Sequence, residues 1–440
     1  MSGRSKIHRE VGLSFHDRRP WLIRKHNLND SPEDRELGAA KEELIGRKKR
    51  RIRPEIPLPM HLVNEEILTR LPAKSLMRFN SVSKLWSSHI NSPYFSNRFL
   101  TQRRRPRIYM CLLDPSDRHK DVMLSLTLDN TTTPSSFVVD HGLTILQRGC
   151  YFLQSLRGFM CYTSWEKPQI FNPATRQLVT LPAALESSKI TPPSGVSAKI
   201  VSYYYGYDPV NGHYKVVCST GVNFKDLQEM RSEHWVFVRG SWKKVAPTPL
   251  DYCPHLPARG GVCIDGVIYY LGWTSSNNCA VVSFHIRSEE FKTIQLPHRD
   301  DMSAGLYDVS VIEYCGKVTV IDQTNLRNKG LLDLWVVEDA RNKKWLRKTM
   351  ALQPCQLHLI NGTIFNVKGT TQNGKLFFIP RRWFFPFHIL YYDLQSNDLQ
   401  KIEIKGVPEY WSNKEKSNIN VSLIEMSESL FKVIDVDGAE

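Results

Sequence analysis

The chain holds no C-x-x-C pair and no close cysteine–histidine cluster. Its nine cysteines, at 111, 150, 161, 218, 253, 263, 279, 315 and 355, stand singly. An odd, dispersed set reads as reduced thiols of a cytosolic or nuclear protein and leaves no metal site expected. The start, Met1-Ser2-Gly3-Arg4-Ser5-Lys6, leads into no apolar stretch, so a secretory signal is not expected. No apolar run reaches the roughly 18 residues that cross a bilayer, so no membrane partner is expected. Also missing are H-E-x-x-H, G-x-S-x-G and a phosphate-binding glycine loop. Histidines 213, 234, 255, 285 and 298 are dispersed, as structural histidines are. The expectation is a chain with no catalytic residue and no cofactor.

Acidic residues are in deficit, 44 against 59 Lys and Arg, for a net charge of +15. Residues 1–54 carry 15 basic and 8 acidic side chains, and the run Arg47-Lys48-Lys49-Arg50-Arg51-Ile52-Arg53 is the sharpest cluster. Such a run serves as a nuclear-import signal, a nucleic-acid contact or a solvated leader. A nucleic-acid reader also needs stacking aromatics beside its charge, and this leader has few, so nucleic acid is not expected as a partner. With little periodicity, residues 1–54 read as a basic, mostly disordered leader. The place expected for the protein is the nucleus, the cytoplasm or both.

Composition is otherwise that of a globular protein, 41% hydrophobic and 23% charged, and 440 residues are enough for two or three domains. Residues 55–100 form a small helical module. Leu62, Ile67, Leu68 and Leu71 give a partly amphipathic first helix, which Pro72 stops. Leu76 and Phe79 mark a second. Ser81 or Ser83 caps a third, whose Val82, Trp86 and Ile90 share one stripe at four-residue spacing, and Pro93 ends it. A module this short has more apolar surface than it can bury alone, which points to a protein partner and an adaptor role.

From about residue 105 short runs of Val, Ile, Tyr, Phe and Trp replace helical periodicity. A glycine followed by an apolar strand recurs at Gly158, Gly212, Gly266, Gly316 and Gly374, in steps of 54, 54, 50 and 58 residues. Each unit continues through a loop, a second strand, a polar turn and a last strand. Four strands repeated about every fifty residues spell a β-propeller blade, because one such sheet covers its faces only by stacking on its neighbours. Five units are legible. A sixth combines Ile108–Leu112 and Val122–Leu126 with Val421–Ile424 or Leu430–Ile434, which would close the ring. An irregular β-sandwich is the alternative. The fold class expected is mainly β with a small N-terminal α module, the propeller-like domain taking residues 101–440.

Trp235, Trp242, Trp335 and Trp345 fall in strand positions and read as blade packing. Arg381, Arg382, Trp383, Phe384 and Phe385 lie in the loop between the second and third strands of the fifth unit. The repeat does not require an apolar cluster there, so this run is a candidate substrate-contact loop, with a loop tucked over its own blade as the plainer reading.

Residues 57–100 resemble a plant F-box: Leu58-Pro59, Glu66-Ile67-Leu68, Arg70-Leu71-Pro72-Ala73-Lys74-Ser75-Leu76, Arg78-Phe79, Val82-Ser83-Lys84-Leu85-Trp86 and Ser92-Pro93-Tyr94-Phe95 stand in the order of that family. The stretch from Pro59 to Ile67 is about one residue longer than usual. The remainder resembles the F-box-associated, kelch-like interaction domain, through Phe171-Asn172-Pro173-Ala174-Thr175-Arg176 with Leu181-Pro182, and Tyr205-Gly206-Tyr207-Asp208-Pro209 leading to Tyr214-Lys215-Val216-Val217. The resemblance implies docking on a Skp-type adaptor and through it on a cullin–RING ubiquitin ligase. It implies that Pro59, Leu62, Ile67, Leu68, Leu71, Pro72, Leu76, Phe79, Val82 and Trp86 form or support the docking surface, with Leu71, Pro72 and Leu76 expected in direct contact. The expected function is substrate recognition for that ligase, the propeller holding an unidentified protein. A propeller enzyme or small-molecule binder and a basic nuclear nucleic-acid binder are the rival readings.

Overall fold

The computed structural model describes residues 66–433 apart from 102–105, 130–134, 147–150, 165, 185–198, 225–228, 248–251, 276–277, 298–307, 341–343, 372–373, 382, 384 and 414–418. The basic leader, Pro59 and Leu62 lie outside the described residues.

Five four-stranded antiparallel blades follow in chain order at residues 151–180, 200–245, 256–295, 309–351 and 365–405. The five repeated glycines each sit in the turn between a blade's first and second strands, all at positive φ. In Arg157-Gly158, Asp265-Gly266 and Cys315-Gly316 both turn residues have positive φ, the backbone that matches the twist of a two-residue hairpin.

The sixth blade joins distant parts of the chain. Its inner strand, Asn420–Met426, pairs with Arg107–Leu113 in the register Ile108↔Glu425 and Met110↔Leu423, and Val122–Asp129 and Ser136–Leu146 complete it. Of the two closing segments that the sequence offers, the ring therefore uses the one at Val421–Ile424. Residues 427–433 form no strand. Blades five and six are also joined at their outer strands by a short parallel pairing, Ile404↔Phe137. The first strands of successive blades touch in turn all the way round, so the propeller is closed with six blades.

Strand alternation explains the packing. Tyr203 and Tyr205 point to one face of the second blade and pack with Phe159, Cys161 and Ile170 of the first. Tyr204, between them, points the other way and stacks on Tyr270 of the third blade at 3.9 Å. Six apolar clusters of this kind fill the six spaces between blades. The four tryptophans take the blade-packing role: Trp235 and Trp242 join the cluster between blades one and two, Trp335 and Trp345 that between blades three and four. Trp242 and Trp345 also latch neighbours, each donating its indole N–H to the previous blade, at Pro182 O (3.0 Å) and Gln295 O (3.1 Å).

The helical module is described as a short turn at Leu68–Arg70 followed by α1 (Ala73–Phe79), α2 (Lys84–Ile90) and α3 (Pro93–Thr101). Ser83 caps α2, accepting from the Trp86 amide at 3.2 Å. Pro93, expected to end a helix, opens α3 instead. Proline lacks only an N–H that the first turn leaves unpaired in any case.

Candidate docking surfaces

The core of the module consists of Leu68, Ala73, Leu76, Ile90, Phe95 and Phe99, closed by Leu430 from the far end of the chain. This corrects the expected contact set. Leu76, expected in direct contact, is completely buried and so packs inside the module, and Leu68, expected to form or support the surface, is nearly as buried. Ile90 is buried too, so Val82, Trp86 and Ile90 do not share one environment. Val82 lies in the turn before α2 and not on its stripe.

Four large apolar side chains stay outside that core. Ile67, Val82, Leu85 and Tyr94 are exposed, Val82 and Leu85 each at 63%. Pro72 is exposed, and Leu71, Phe79 and Trp86 are half-buried. The Phe79 and Trp86 rings pack tilted at 5.3 Å, which fixes the Trp86 indole between core and surface. Lys74, Arg78 and Lys84 are exposed on the same helices. Leu85 and Tyr94 belong to the sequence pattern but not to the expected docking set. In helices of seven and nine residues with apolar side chains on several sides, the inward face is set by packing rather than by periodicity.

The propeller has two unlike ends. Connections between first and second strands, and between third and fourth, are tight, as at 157–158, 173–176, 209–212, 239–240, 265–266 and 286–289. The strand ends at Thr180, Gln295, Ala351, Pro380 and Lys405, from which the longer connections leave, lie at the other end. The helical module packs against Ala174, and its Asn97 accepts a hydrogen bond from Arg157. Both contacts are in tight turns of the first blade. The strand ends that lead into the longer connections therefore lie on the end away from the module.

The candidate loop at 381–387 belongs to that far end but divides in two. Trp383 and Phe387 are buried in the core between blades five and six with Ile389, Ile402 and Trp411, which removes Trp383 from the candidate contacts. Phe385 is 57% exposed. Arg381 is half-buried and donates to Asn366 Oδ1 at 3.0 Å, with Asp308 3.7 Å away. Arg382 and Phe384 lie outside the described residues.

Two of the dispersed histidines meet. His234 and His255 are wholly buried between blades two and three, ring centres 5.5 Å apart. Ser219 bonds to His234 Nδ1 and to the Tyr270 hydroxyl at 2.9 Å each. Tyr270 reaches His255 Nε2 at 3.0 Å, and Tyr252 bonds to His234 Nε2 at 2.5 Å. Burial holds His234 well below the ordinary imidazole range and brings His255 down to about 4, so both are neutral. A serine–histidine pair with no atom open to solvent cannot meet a substrate, and its role is to satisfy polar groups inside the blade interface. The apolar space lined by Leu156, Phe159, Ile170 and Tyr214 has no room for even a water molecule, whereas ligand pockets measure about 300–1,000 Å³.

Comparison with known proteins gives two family matches. Residues 61–98 match the F-box domain, and residues 107–426 match the F-box associated beta propeller domain. The chain is 44% identical over 376 residues to an F-box protein of Arabidopsis thaliana, covering 83% of this chain and 90% of that protein. An F-box/LRR-repeat protein of the same plant is 44% identical, covering 80% and 82%, and an F-box/kelch-repeat protein 38%, covering 81% and 86%. Among solved structures, TolB from Acinetobacter baumannii (8% identity, TM-score 0.38, 78% of this chain and 73% of that one) and the Aleuria aurantia lectin (10%, 0.38, 69% and 97%) are similar.

Proposed function

Because this chain belongs to the F-box proteins that carry an F-box-associated β-propeller domain, we propose that it is the substrate-recognition subunit of an SCF-type ubiquitin ligase. The F-box docks on a Skp-type adaptor, and the propeller holds a protein substrate at its long-loop end. One observation carries the reading: the described part of the F-box packs a core of its own, yet Ile67, Val82, Leu85 and Tyr94 remain outside it. Burying each such side chain against a partner is worth about 1.5–3 kcal/mol at full burial, and a few anchors of this size hold an interface. The chain then acts without catalytic residues. Ubiquitin transfer is accelerated by holding the substrate near the charged conjugating enzyme, through effective concentration and orientation. The nucleus, the cytoplasm or both are the proposed site of action, the basic run at 47–53 being the import candidate.

The test is affinity capture from cells with the proteasome blocked, comparing wild type with a Val82→Asp/Leu85→Asp variant. The expected result is loss of adaptor and cullin from the variant alone, with captured substrate retained. A wild-type chain that brings down no adaptor refutes the proposal.

A further inference from the structure

We propose that residues 427–433, which follow the last propeller strand, are a strap that fixes the F-box rigidly on the propeller. The strap thereby sets the direction in which a bound substrate is presented. This rests on the receptor reading above for its purpose, though not for its structure.

The strap touches both bodies. On the F-box side, Glu428 Oε2 accepts from the Ala73 amide at 3.0 Å, capping the start of α1, where Pro72 offers no side-chain cap. Its other oxygen lies 3.4 Å from Arg107 Nε, at the first residue of the propeller. Leu430, 3% exposed, fills the F-box core beside Leu76 and Phe95. On the propeller side, Asn172 is fully buried, and its Nδ2 donates to both Ser429 O and Phe431 O at 3.0 Å. Val433 is buried with Phe159 and Ile170 in the cluster between blades one and two. Gly158 leaves the passage open: a Cβ there would stand 2.5 Å from Ser429 Cβ and 2.8 Å from Ser427 O.

Asn172 thus acquires a task beyond its turn. Its Oδ1 accepts from the Ala174 and Thr175 amides, which holds the turn at 173–176. Its amide N–H groups hold the strap. The two halves of one side chain can therefore be separated. Asn172→Asp keeps the acceptor for the turn and replaces the donor by an oxygen facing two carbonyls.

The experiment uses the full purified chain as wild type, Asn172→Asp, and Glu428→Ala/Leu430→Ala, each read by amide hydrogen exchange and by small-angle X-ray scattering. In Asn172→Asp, exchange in the strap is expected to rise at least about tenfold while the amides of blades three and four keep their protection. The radius of gyration is expected to grow as the F-box swings free. In Glu428→Ala/Leu430→Ala, amides of Ala73–Phe79 are expected to exchange faster as well. Affinity of Asn172→Asp for a purified Skp-type adaptor is expected to stay within about twofold of wild type, since the exposed apolar side chains are untouched; a merely structural role would lower both together. Unchanged exchange and scattering in both variants overturn the strap, as does equal loss of protection in every blade. A wild-type chain that fails to bind adaptor refutes the receptor reading and leaves the exchange result standing.

Discussion

Two leucines nine residues apart divide core from exposed surface in the F-box. Leu76 is 0% exposed and Leu85 63% exposed. Leu76→Ala removes a side chain from a core that, among the described residues, has seven buried members, one of them supplied by the strap. A buried Leu→Ala change costs about 2–5 kcal/mol, and a module this small has little stability to lose. The expected result is local unfolding of α1 to α3, seen as lost amide protection in urea well before the propeller unfolds. Leu85→Asp is a surface change and is expected to move stability by no more than about 0.5 kcal/mol. Its effect belongs to binding. With about two-thirds of the side chain still to be covered, burial against an adaptor is worth about 1–2 kcal/mol, which is about 5- to 30-fold in Kd. An unpaired carboxylate at the interface adds to that loss. Titration calorimetry with purified adaptor, beside urea unfolding, reads both. Wild-type affinity in Leu85→Asp, or an intact module in Leu76→Ala, would falsify this division.

The blade two–three interface predicts acid sensitivity. His234 and His255 stay neutral in the folded protein, whereas in the unfolded chain they take up protons near pH 6.5. Stability is therefore full above that pH and falls as pH drops below it, by about 1.4 kcal/mol per pH unit for each histidine, continuing for His255 to about 4. Urea midpoints across this window measure the slope, and a flat profile contradicts it. In the loop at 381–387, Trp383→Ala is expected to cost about 3–5 kcal/mol of stability. Phe385→Ala is expected to cost under about 0.5 kcal/mol but to weaken substrate capture. Equal thermal shifts for the two would show that the loop does not divide as described. Gly206→Ala puts a Cβ 2.5 Å from Ile286 Cδ1 and is expected to cost about 1–3 kcal/mol by overpacking, partly recovered by Ile286→Val. No recovery in the double variant argues against that contact as the cause.

The amino-acid sequence by itself determined whatever depends on neighbours along the chain. Type I′ turns need residues that tolerate positive φ, so Gly158, Gly266 and Gly316 announce their hairpins and, through their spacing, the blade repeat. Apolar runs such as that ending in Tyr203-Tyr204-Tyr205 suit strands buried on both faces, since successive side chains leave on opposite sides. Only the tertiary structure decided what depends on residues far apart. That Leu76 faces inward and Leu85 outward is set by what α1 and α2 pack against. One of those neighbours is Leu430, more than three hundred residues away. His234 and His255 become one network only because neighbouring blades press their faces together. The strap left almost no local trace, because a hydrogen bond from Ala73 to Glu428 has no period and no motif. Short-range backbone preferences repeat and can be read. Contacts closed across the whole chain occur once, and their partners are chosen by the shape of the finished ring.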